Sequence, residues 1–495
     1  MKRAYFNGNI ITMTGEDAGY VLCENGVITE TGRGEPPAAD EYADLGGRTL
    51  MPSFIDAHSH FMSVAYSFLR ADLDGAVSID EIRNRLNDFI TKNKKRGQWV
   101  VAMGYDHNGL KEKRHITSAE LEFGDCAVVL ENKSGHSGIF NAEAQRLLGI
   151  MSSKDGLLEE NEYLEKLRLV PMENISDILS ACEKAEKKYF SHGITTAQDG
   201  YAMGALLDVY KALAALGGTT LDIVAYPDRD SFAGWREAFP ESMGKYHNNF
   251  KLGGLKIMLD GSPQGKTAWI SGKYADGTCA APSMTEEAVG SAVKWAAERD
   301  IQVIAHCNGD MACEMFINAV EKYKNRRAVI IHAQLLRKDQ LERVKRLEMI
   351  PSFFVAHVFR WGDIHIQNLG LERAKGISPA GSALKEGITF TFHQDSPVIE
   401  PDMFETVWCA VRRKTKNGAV LGENERIGVY DAIKAVTVNA AYQYFEEGKK
   451  GIIAPGAFED FIIADRNPLS LTDNDELKNI KILSTIKRGT KVYEA

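Results

Sequence analysis

From about residue 49 onward, short runs of apolar residues alternate with longer stretches whose apolar positions recur every three or four residues. Short apolar runs bounded by turn formers read as buried strands, and the longer periodicity reads as helices facing a core. Eight strands are predicted: Thr49–Ala57, Gly193–Asp199, Thr220–Tyr226, Gly253–Asp260, Ile301–His306, Arg327–His332, Met349–His357 and Ile388–Asp395. Helical patterns follow most of them, including Tyr201–Leu216, Met284–Asp300 and Asp310–Lys322. In the last, Met311, Met315, Ala319 and Lys322 fall along one side, with Ala312, Phe316 and Val320 adjoining. This succession fits an α/β protein built on a (β/α)₈ TIM-type barrel, with its reacting side chains at the C-terminal strand ends.

The interval between the first two strands is long. Residues 62–190 carry helical patterns over Ile79–Lys94 and Ile175–His192 and strand patterns over Trp99–Gly104 and Cys126–Glu131. The last helix is assigned to the barrel, and residues 62–174 are read as an inserted α/β segment expected over the active-site mouth. The flanks of the barrel, residues 51–449, read differently. Glycine-containing turns (Phe6-Asn7-Gly8-Asn9 and Glu24-Asn25-Gly26-Val27) separate short strands near the beginning, and Ile452–Phe461 and Ile480–Val492 look similar. Residues 1–50 and 450–495 are each too short to bury a core, so they are predicted to pair into one small β-sandwich.

A length of 495 residues agrees with one large domain plus smaller parts. The formal charge of −9, with no basic run, argues against a nucleic-acid partner. No apolar stretch is long enough to span a bilayer, and none follows Lys2-Arg3 to form a signal peptide, so a cytoplasmic location is expected. The seven cysteines (23, 126, 182, 279, 307, 313 and 409) include no CxxC pair and read as free thiols. Cys307, beside a candidate histidine, is read as a small buried apolar residue.

The histidines and acids fall where a barrel would converge. His58 and His60 close the first strand two residues apart, so both imidazoles point the same way. His306, His332 and Asp395 end the fifth, sixth and eighth strands. A lone histidine at a strand end is usually ordinary core, and an isolated HxH usually means nothing. Four independent strand ends carrying ligand-type residues point to a site for zinc or a similar divalent cation. Lys256 shares a strand face with Gly254, Met258 and Asp260, while Leu255, Ile257 and Leu259 occupy the other. The aliphatic face suits helix packing, which turns the ammonium inward, where it must be paired, neutral or modified. A neutral amine near cations can take up CO₂ as N6-carboxylysine. The alternative is a lysine paired with Asp260 or Asp395 beside a single metal.

These segments resemble the amidohydrolase superfamily, in particular its YtcJ-like branch, which includes N-substituted formamide deformylases. The likeness rests on Leu50–Phe61, Asp260–Trp269, His306–Asp310, His357–Asp363, Asp395–Val398 and Gly451–Asp460, and covers nearly the whole chain. It implies a barrel with a composite terminal sandwich. It also implies one or two divalent ions held by His58, His60, Lys256 (carboxylated), His306, His332 and Asp395. Ser53 departs from the family's usual glycine. The implied assignment has His58, His60 and Asp395 on one ion, His306 and His332 on the other, Lys256 between them, and Asp395 as catalytic base and then acid. His357, His136, Asp260, Trp361 and Asp106 are candidate substrate contacts. His393, deeper on the eighth strand, reads as a supporting partner. His107 is as well explained by an ordinary turn.

The expected reaction is hydrolysis of a non-peptide carbon–nitrogen bond in a small molecule, with no nucleic-acid or membrane partner and a homodimer as one admissible assembly. Competing readings are a cyclic amide, imide or ester hydrolase on the same metals, a metal-dependent isomerase or decarboxylase, and a non-catalytic binding protein on a hydrolase scaffold.

Overall fold

The computed structural model describes residues 1–93, 98–150, 155–171 and 173–495. Two compact units divide the chain: Met1–Phe61 with Ala185–Ala495, and Met62–Lys184.

In the first unit, Phe54–Ile55, Ile194–Ala202, Asp222–Pro227 and Phe250–Leu252 pair in that order in one parallel ladder. Gly254–Met258, Gln302–Cys307, Val329–His332, Ile350–Phe353 and Thr391–Phe392 form a second parallel ladder. Only Gly253 separates the last strand of the first ladder from the first strand of the second. Added Cβ atoms there would meet Tyr226 Cζ at 2.6 Å (Gly253) and Gln302 O at 2.1 Å (Gly254), which is why two glycines occupy the crossing. At the far edges Asp395 N–H donates to His58 O (3.2 Å) and His60 N–H to Ser396 O (2.9 Å), which joins the exits of the last and first strands. Parallel strands in sequence order with intervening helices constitute a TIM-type α/β fold. Its interior buries Ile55, Ala57, Val224, Tyr226, Ile304, Val329, Ile331 and Ile350 against Ala440, Ala441 and Tyr444, around the helix Val438–Gln443.

Two helices are shorter than their sequence patterns, Leu207–Ala215 and Glu286–Ala297 (capped by Thr285 Oγ1 on Ala288 N–H), while Asp310–Tyr323 matches its expected span to within one residue. In the last, Ala319 of the expected stripe and its adjoining Ala312, Phe316 and Val320 are buried together with Cys313 and Ile317, while Met311 and Met315 lie at the margin and Lys322 is exposed.

Two strand predictions need correction. Thr49–Ala57 is not one barrel strand. Thr49–Pro52 lies between Lys2–Ile11 and Phe461–Ala464, and only Phe54–Ile55 enters the barrel ladder. The change of sheet falls at Ser53, after a proline with no N–H to donate: Ser53 N–H bonds Asp460 O and Phe54 N–H bonds Gly193 O (2.9 and 2.8 Å). Ser53 Oγ also meets Thr195 Oγ1 at 2.6 Å. Met349–His357 also breaks early. Turn bonds start at Phe354, whose carbonyl accepts from His357 N–H, and His357 opens the helix His357–Leu369 instead of ending a strand.

The chain ends pair in one hydrogen-bonded sheet of eight strands, which includes Lys2–Ile11, Asp17–Glu24, Val27–Gly32, Phe461–Ala464 and Ile482–Lys487. Tyr5, Val21, Cys23, Leu50, Phe461 and Ile486 share its core. Asn25 and Gly26 (φ +52° and +80°) make the predicted two-residue hairpin. The expected turn at Phe6–Asn9 is instead a bulge inside the first strand, with Asn7 at φ +58°. Fully buried Asp222, at the start of its barrel strand, accepts from Lys450 (2.6 Å), Lys487 (2.7 Å) and Arg488 (2.9 Å), which ties this sheet to the barrel.

The second unit has its own five-stranded sheet, in the order Leu157–Glu159, Ser137–Phe140, Ala127–Asn132, Trp99–Tyr105 and Ala71–Asp72. The helix Ile79–Lys92, capped by Ser78, packs Ile82 and Leu86 with Val100, Val128 and Leu130. Lys94, the predicted end of that helix, lies outside the described residues. The division between the units falls within the helix Ile175–Ser191. Among the described residues, no helix is long and apolar enough to cross a membrane.

Candidate metal centre

Lys256 is hydrogen-bond-registered with Ile304, and paired residues on neighbouring parallel strands face the same way. Ile304 belongs to the interior, so the ammonium is inside and almost wholly buried, as its strand pattern predicts. Its Nζ stands 3.4 Å from His58 Nε2. His58 Nε2 and His60 Nε2 lie 3.5 and 3.2 Å from Asp395 Oδ1. One ligand atom from each of these three residues falls within 4.8 Å of the others. His332 Nε2 is 3.9 Å from Asp395 Oδ2 and 3.1 Å from His306 Nδ1. All six residues predicted as ligands therefore gather at one rim.

Their outward nitrogens are engaged. His306 Nε2 faces Gly261 O (3.2 Å) and the Asn308 amide (3.0 Å), and His332 Nδ1 faces His393 Nε2 (3.1 Å), whose Nδ1 meets Ser352 Oγ (2.8 Å). His393 is thus the supporting partner expected of it. Gln198 Oε1 closes on His58 Nδ1. An amide oxygen only accepts, so Nδ1 carries the proton and Nε2 presents a lone pair. That lone pair confronts Asp395 Oδ1, 3.5 Å away, with His60 Nε2 on the same oxygen at 3.2 Å. Two lone-pair donors facing each other, with a second pair of imidazole nitrogens alongside, fit a divalent cation.

The electrostatics agree. Burial, reinforced by Lys256, holds His58 well below the usual imidazole range, and burial with the neighbouring His306 does the same for His332. Burial alone accounts for most of the fall of His393 to about 3. Neutral imidazoles are what a metal needs. Burial works to raise Asp395, yet His60, His332 and His58 hold it well below the carboxylate range, so it is an anion. Burial pushes Lys256 down to about 8 against the pull of Asp395 and Cys307. His332 (φ +73°), Ala333 (+47°) and Asp395 (+56°) adopt left-handed backbone, so the chain turns sharply at the exits of Val329–His332 and Thr391–Phe392.

The other predicted residues separate into three groups. His357 and Trp361 are buried beside the centre's Phe354 (His357 ring at 4.6 Å from Phe354 and 4.7 Å from Trp361), and His357 Nδ1 meets His365 Nε2 at 3.2 Å. Asp260 is engaged by the backbone N–H groups of Asn308, Gly309 and Trp269 (2.9, 2.7 and 3.0 Å) and anchors the loop beyond its strand. Asp106 and His136 belong to the Met62–Lys184 unit, where Asp106 caps Asn108 N–H and His136 Nδ1 pairs with Glu160 (3.0 Å). Sequence reasoning missed Gln198 and Gly200. The strand that carries the first, Ile-Thr-Thr-Ala-Gln-Asp-Gly-Tyr-Ala, is polar along much of its length, so the amide did not stand out. At Gly200 an added Cβ would lie 2.3 Å from His58 Cε1, so the glycine makes room for the ring.

A TIM-type barrel with imidazoles and a carboxylate converging at its strand ends is the architecture of metal-dependent hydrolases. Solved structures share the fold. The chain superposes with a TM-score of 0.79 on a metal-dependent hydrolase from Pyrococcus horikoshii OT3 (25% identity, 95% of this chain and 99% of that one). It superposes at 0.78 on one from Pyrococcus furiosus (24% identity, 95% and 100%). The amidohydrolase family profile matches residues 41–493, so the chain belongs to the amidohydrolase family. It falls in the YtcJ-like branch: YtcJ of Bacillus subtilis (strain 168) is 28% identical over the full length of both chains. The N-substituted formamide deformylase of Arthrobacter pascens is 24% identical over 99% of this chain and 97% of that one.

Proposed function

We propose that this metal-dependent hydrolase cleaves a non-peptide carbon–nitrogen bond, of amide or formamide type, in a small molecule. The observation that carries the reading is the meeting of His58, His60 and Asp395 around one point, with His306 and His332 offering a second pair of nitrogens. These residues would hold one or two divalent cations, zinc suiting the histidine-rich donors. Such ions lower the pKa of a bound water and polarise a carbonyl. Lys256, enclosed and with its pKa brought down to about 8 by burial, takes up CO₂ through its neutral fraction and adds an anionic oxygen donor as N6-carboxylysine. Asp395 accepts the water's proton on its carboxylate and returns it to the leaving nitrogen. His357 and Trp361 form part of the wall against which the acyl side rests. The reading includes a closed (β/α)₈ barrel, a terminal sheet folded as a small sandwich, residues 62–174 as an insert, and a cytoplasmic location.

The formamide class is favoured by the name of the Arthrobacter relative. The test is a panel of N-formyl and N-acyl amines, cyclic amides and imides, and esters, presented to zinc-loaded protein in ¹⁸O water. Label in a carboxylate product, with release of amine, supports the reading. Turnover of esters or ring amides alone moves the assignment to those classes, and unlabelled product refutes hydrolysis.

A further inference from the structure

Several buried polar contacts beneath the metal centre are not needed to hold a cation directly, and they run in one direction. Gln198, completely buried on the strand Ile194–Ala202, places Oε1 on His58 Nδ1. Its Nε2 donates to Ala57 O (3.0 Å) and to Tyr444 Oη (3.0 Å). Tyr444, at the end of the helix Val438–Gln443, donates its O–H to Asp56 O (2.8 Å). The adjacent Gln443 Nε2 also donates to Ala57 O (2.8 Å).

Backbone carbonyls are acceptors only, and that fixes every hydrogen in the chain. Asp56 O takes the Tyr444 hydroxyl proton, so the tyrosine oxygen faces Gln198 with a lone pair. Ala57 O and that lone pair both require N–H donors, so the Gln198 amide cannot flip. Its oxygen is left on His58 Nδ1, which must carry hydrogen. We infer that Gln198 and Tyr444 are positioning residues that preset His58 as the Nδ1–H tautomer, with its Nε2 lone pair directed at the metal centre before any cation arrives. The helix 438–443, reached nearly 400 residues after His58 along the chain, thereby acts on a ligand it does not touch. Partners that fix the tautomer of a ligating histidine are typically worth ~10–100-fold in metal affinity.

The inference rests on the metal-hydrolase reading for its consequence but not for the tautomer itself, and the experiment separates them. Histidine-labelled, metal-free protein is examined by ¹⁵N NMR, with the His58 signals assigned by loss in His58→Gln. Zinc and cobalt binding are then titrated in wild type, Gln198→Leu, Gln198→Glu, Tyr444→Phe and the control Tyr226→Phe, whose hydroxyl bonds Gln302 Oε1 rather than Gln198 or Tyr444. The expected results are Nδ1–H His58 in wild-type apoprotein and ~10–100-fold weaker zinc binding with an altered cobalt spectrum in Gln198→Leu. Gln198→Glu keeps an acceptor on Nδ1 but loses the N–H donors to Ala57 O and Tyr444 Oη, so it should retain more affinity than Gln198→Leu and less than wild type. Tyr444→Phe should weaken binding more mildly than Gln198→Leu, and Tyr226→Phe should leave it unchanged. His58 protonated on Nε2, or equal affinity and spectrum in wild type, Gln198→Leu and Tyr444→Phe, overturns the inference. Should Gln198→Leu fail to fold, Tyr444→Phe and Gln198→Glu decide it. Wild-type protein that binds no cation overturns the function reading, while the NMR result still decides the tautomer.

Discussion

Gly200→Ala offers the most direct test of how tightly the first histidine is held. The new methyl carbon would sit 2.3 Å from His58 Cε1, 2.7 Å from Nδ1 and 2.9 Å from Gln198 Oε1. Ordinary carbon contacts need ~3.5 Å, so the ring must retreat by roughly 1 Å. It has little room, since the rings of His60 and His393 lie 5.1 and 5.2 Å away centre to centre. Overpacking of this kind costs ~1–3 kcal/mol of stability, and a metal ligand displaced well beyond ~0.2 Å is no longer a ligand at full strength. We expect at least a tenfold loss of zinc affinity, about 1.4 kcal/mol, together with a lower unfolding midpoint. The assay is competition between apoprotein and a chromophoric chelator, with thermal unfolding in parallel. Gly234→Ala is the control, because its Cβ would meet only Leu207 Cδ2, at 3.6 Å. Wild-type zinc affinity in Gly200→Ala would refute the argument that the ring is confined.

Asp395→Asn should keep most of its metal and lose turnover by ~10²–10⁴-fold, as steady-state rates with metal analysis would reveal; wild-type turnover excludes the proton-shuttle role. In metal-free protein, folded Lys256 releases its proton near pH 8 whereas the unfolded chain keeps it to about 10.5, so the unfolded state binds more protons in between. Stability should rise across that window by up to about 3 kcal/mol, and denaturant titrations at pH 8 and 10 should find the rise missing in Lys256→Met. Asp222→Asn leaves Lys450, Lys487 and Arg488 without their shared anion and should cost ~3–5 kcal/mol in denaturant unfolding, with zinc affinity unchanged. Prolonged chelation should abolish turnover and lower the unfolding midpoint, and added zinc should restore both; an unchanged midpoint would count against the centre.

The strand order and the residues of the metal centre were legible in the sequence because their signals are local. Apolar runs ending in histidine or aspartate mark a strand and its exit together. Lys256 was readable because alternation along 254–259 separates an aliphatic face from a polar one. Alternation fails for His332: Val329 and Ile331 are interior, so a regular strand would turn the next side chain outward, and the left-handed turn at 332–333 brings it in. Backbone reversals of that kind leave no mark in a hydrophobic pattern. Nor does a sheet change: Thr49–Ala57 reads as one uninterrupted run, and only the partners supplied by Phe461–Ala464 divide it at Ser53. The His357 helix start was hidden similarly, since Phe353–Ala356 continues the apolar run of the strand without a break. Gln198 and Tyr444 act through hydrogen-bond direction, which depends on carbonyls that sequence cannot place.

The passage of the chain from one sheet to another at Ser53 also bears on biosynthesis. The residues that frame Thr49–Pro52 on one side leave the ribosome about 400 positions after His58 and His60. At roughly 5–20 residues per second, the two histidines wait on the order of 20–80 s before that neighbour exists. During that interval Thr49–Pro52 has Lys2–Ile11 as its one sheet partner, and the ligand set stays incomplete until Asp395 has emerged. Capture of the right cation therefore belongs to the end of translation, and shortening the distal strand would be felt first as mismetallation of nascent protein and only afterwards as lost stability.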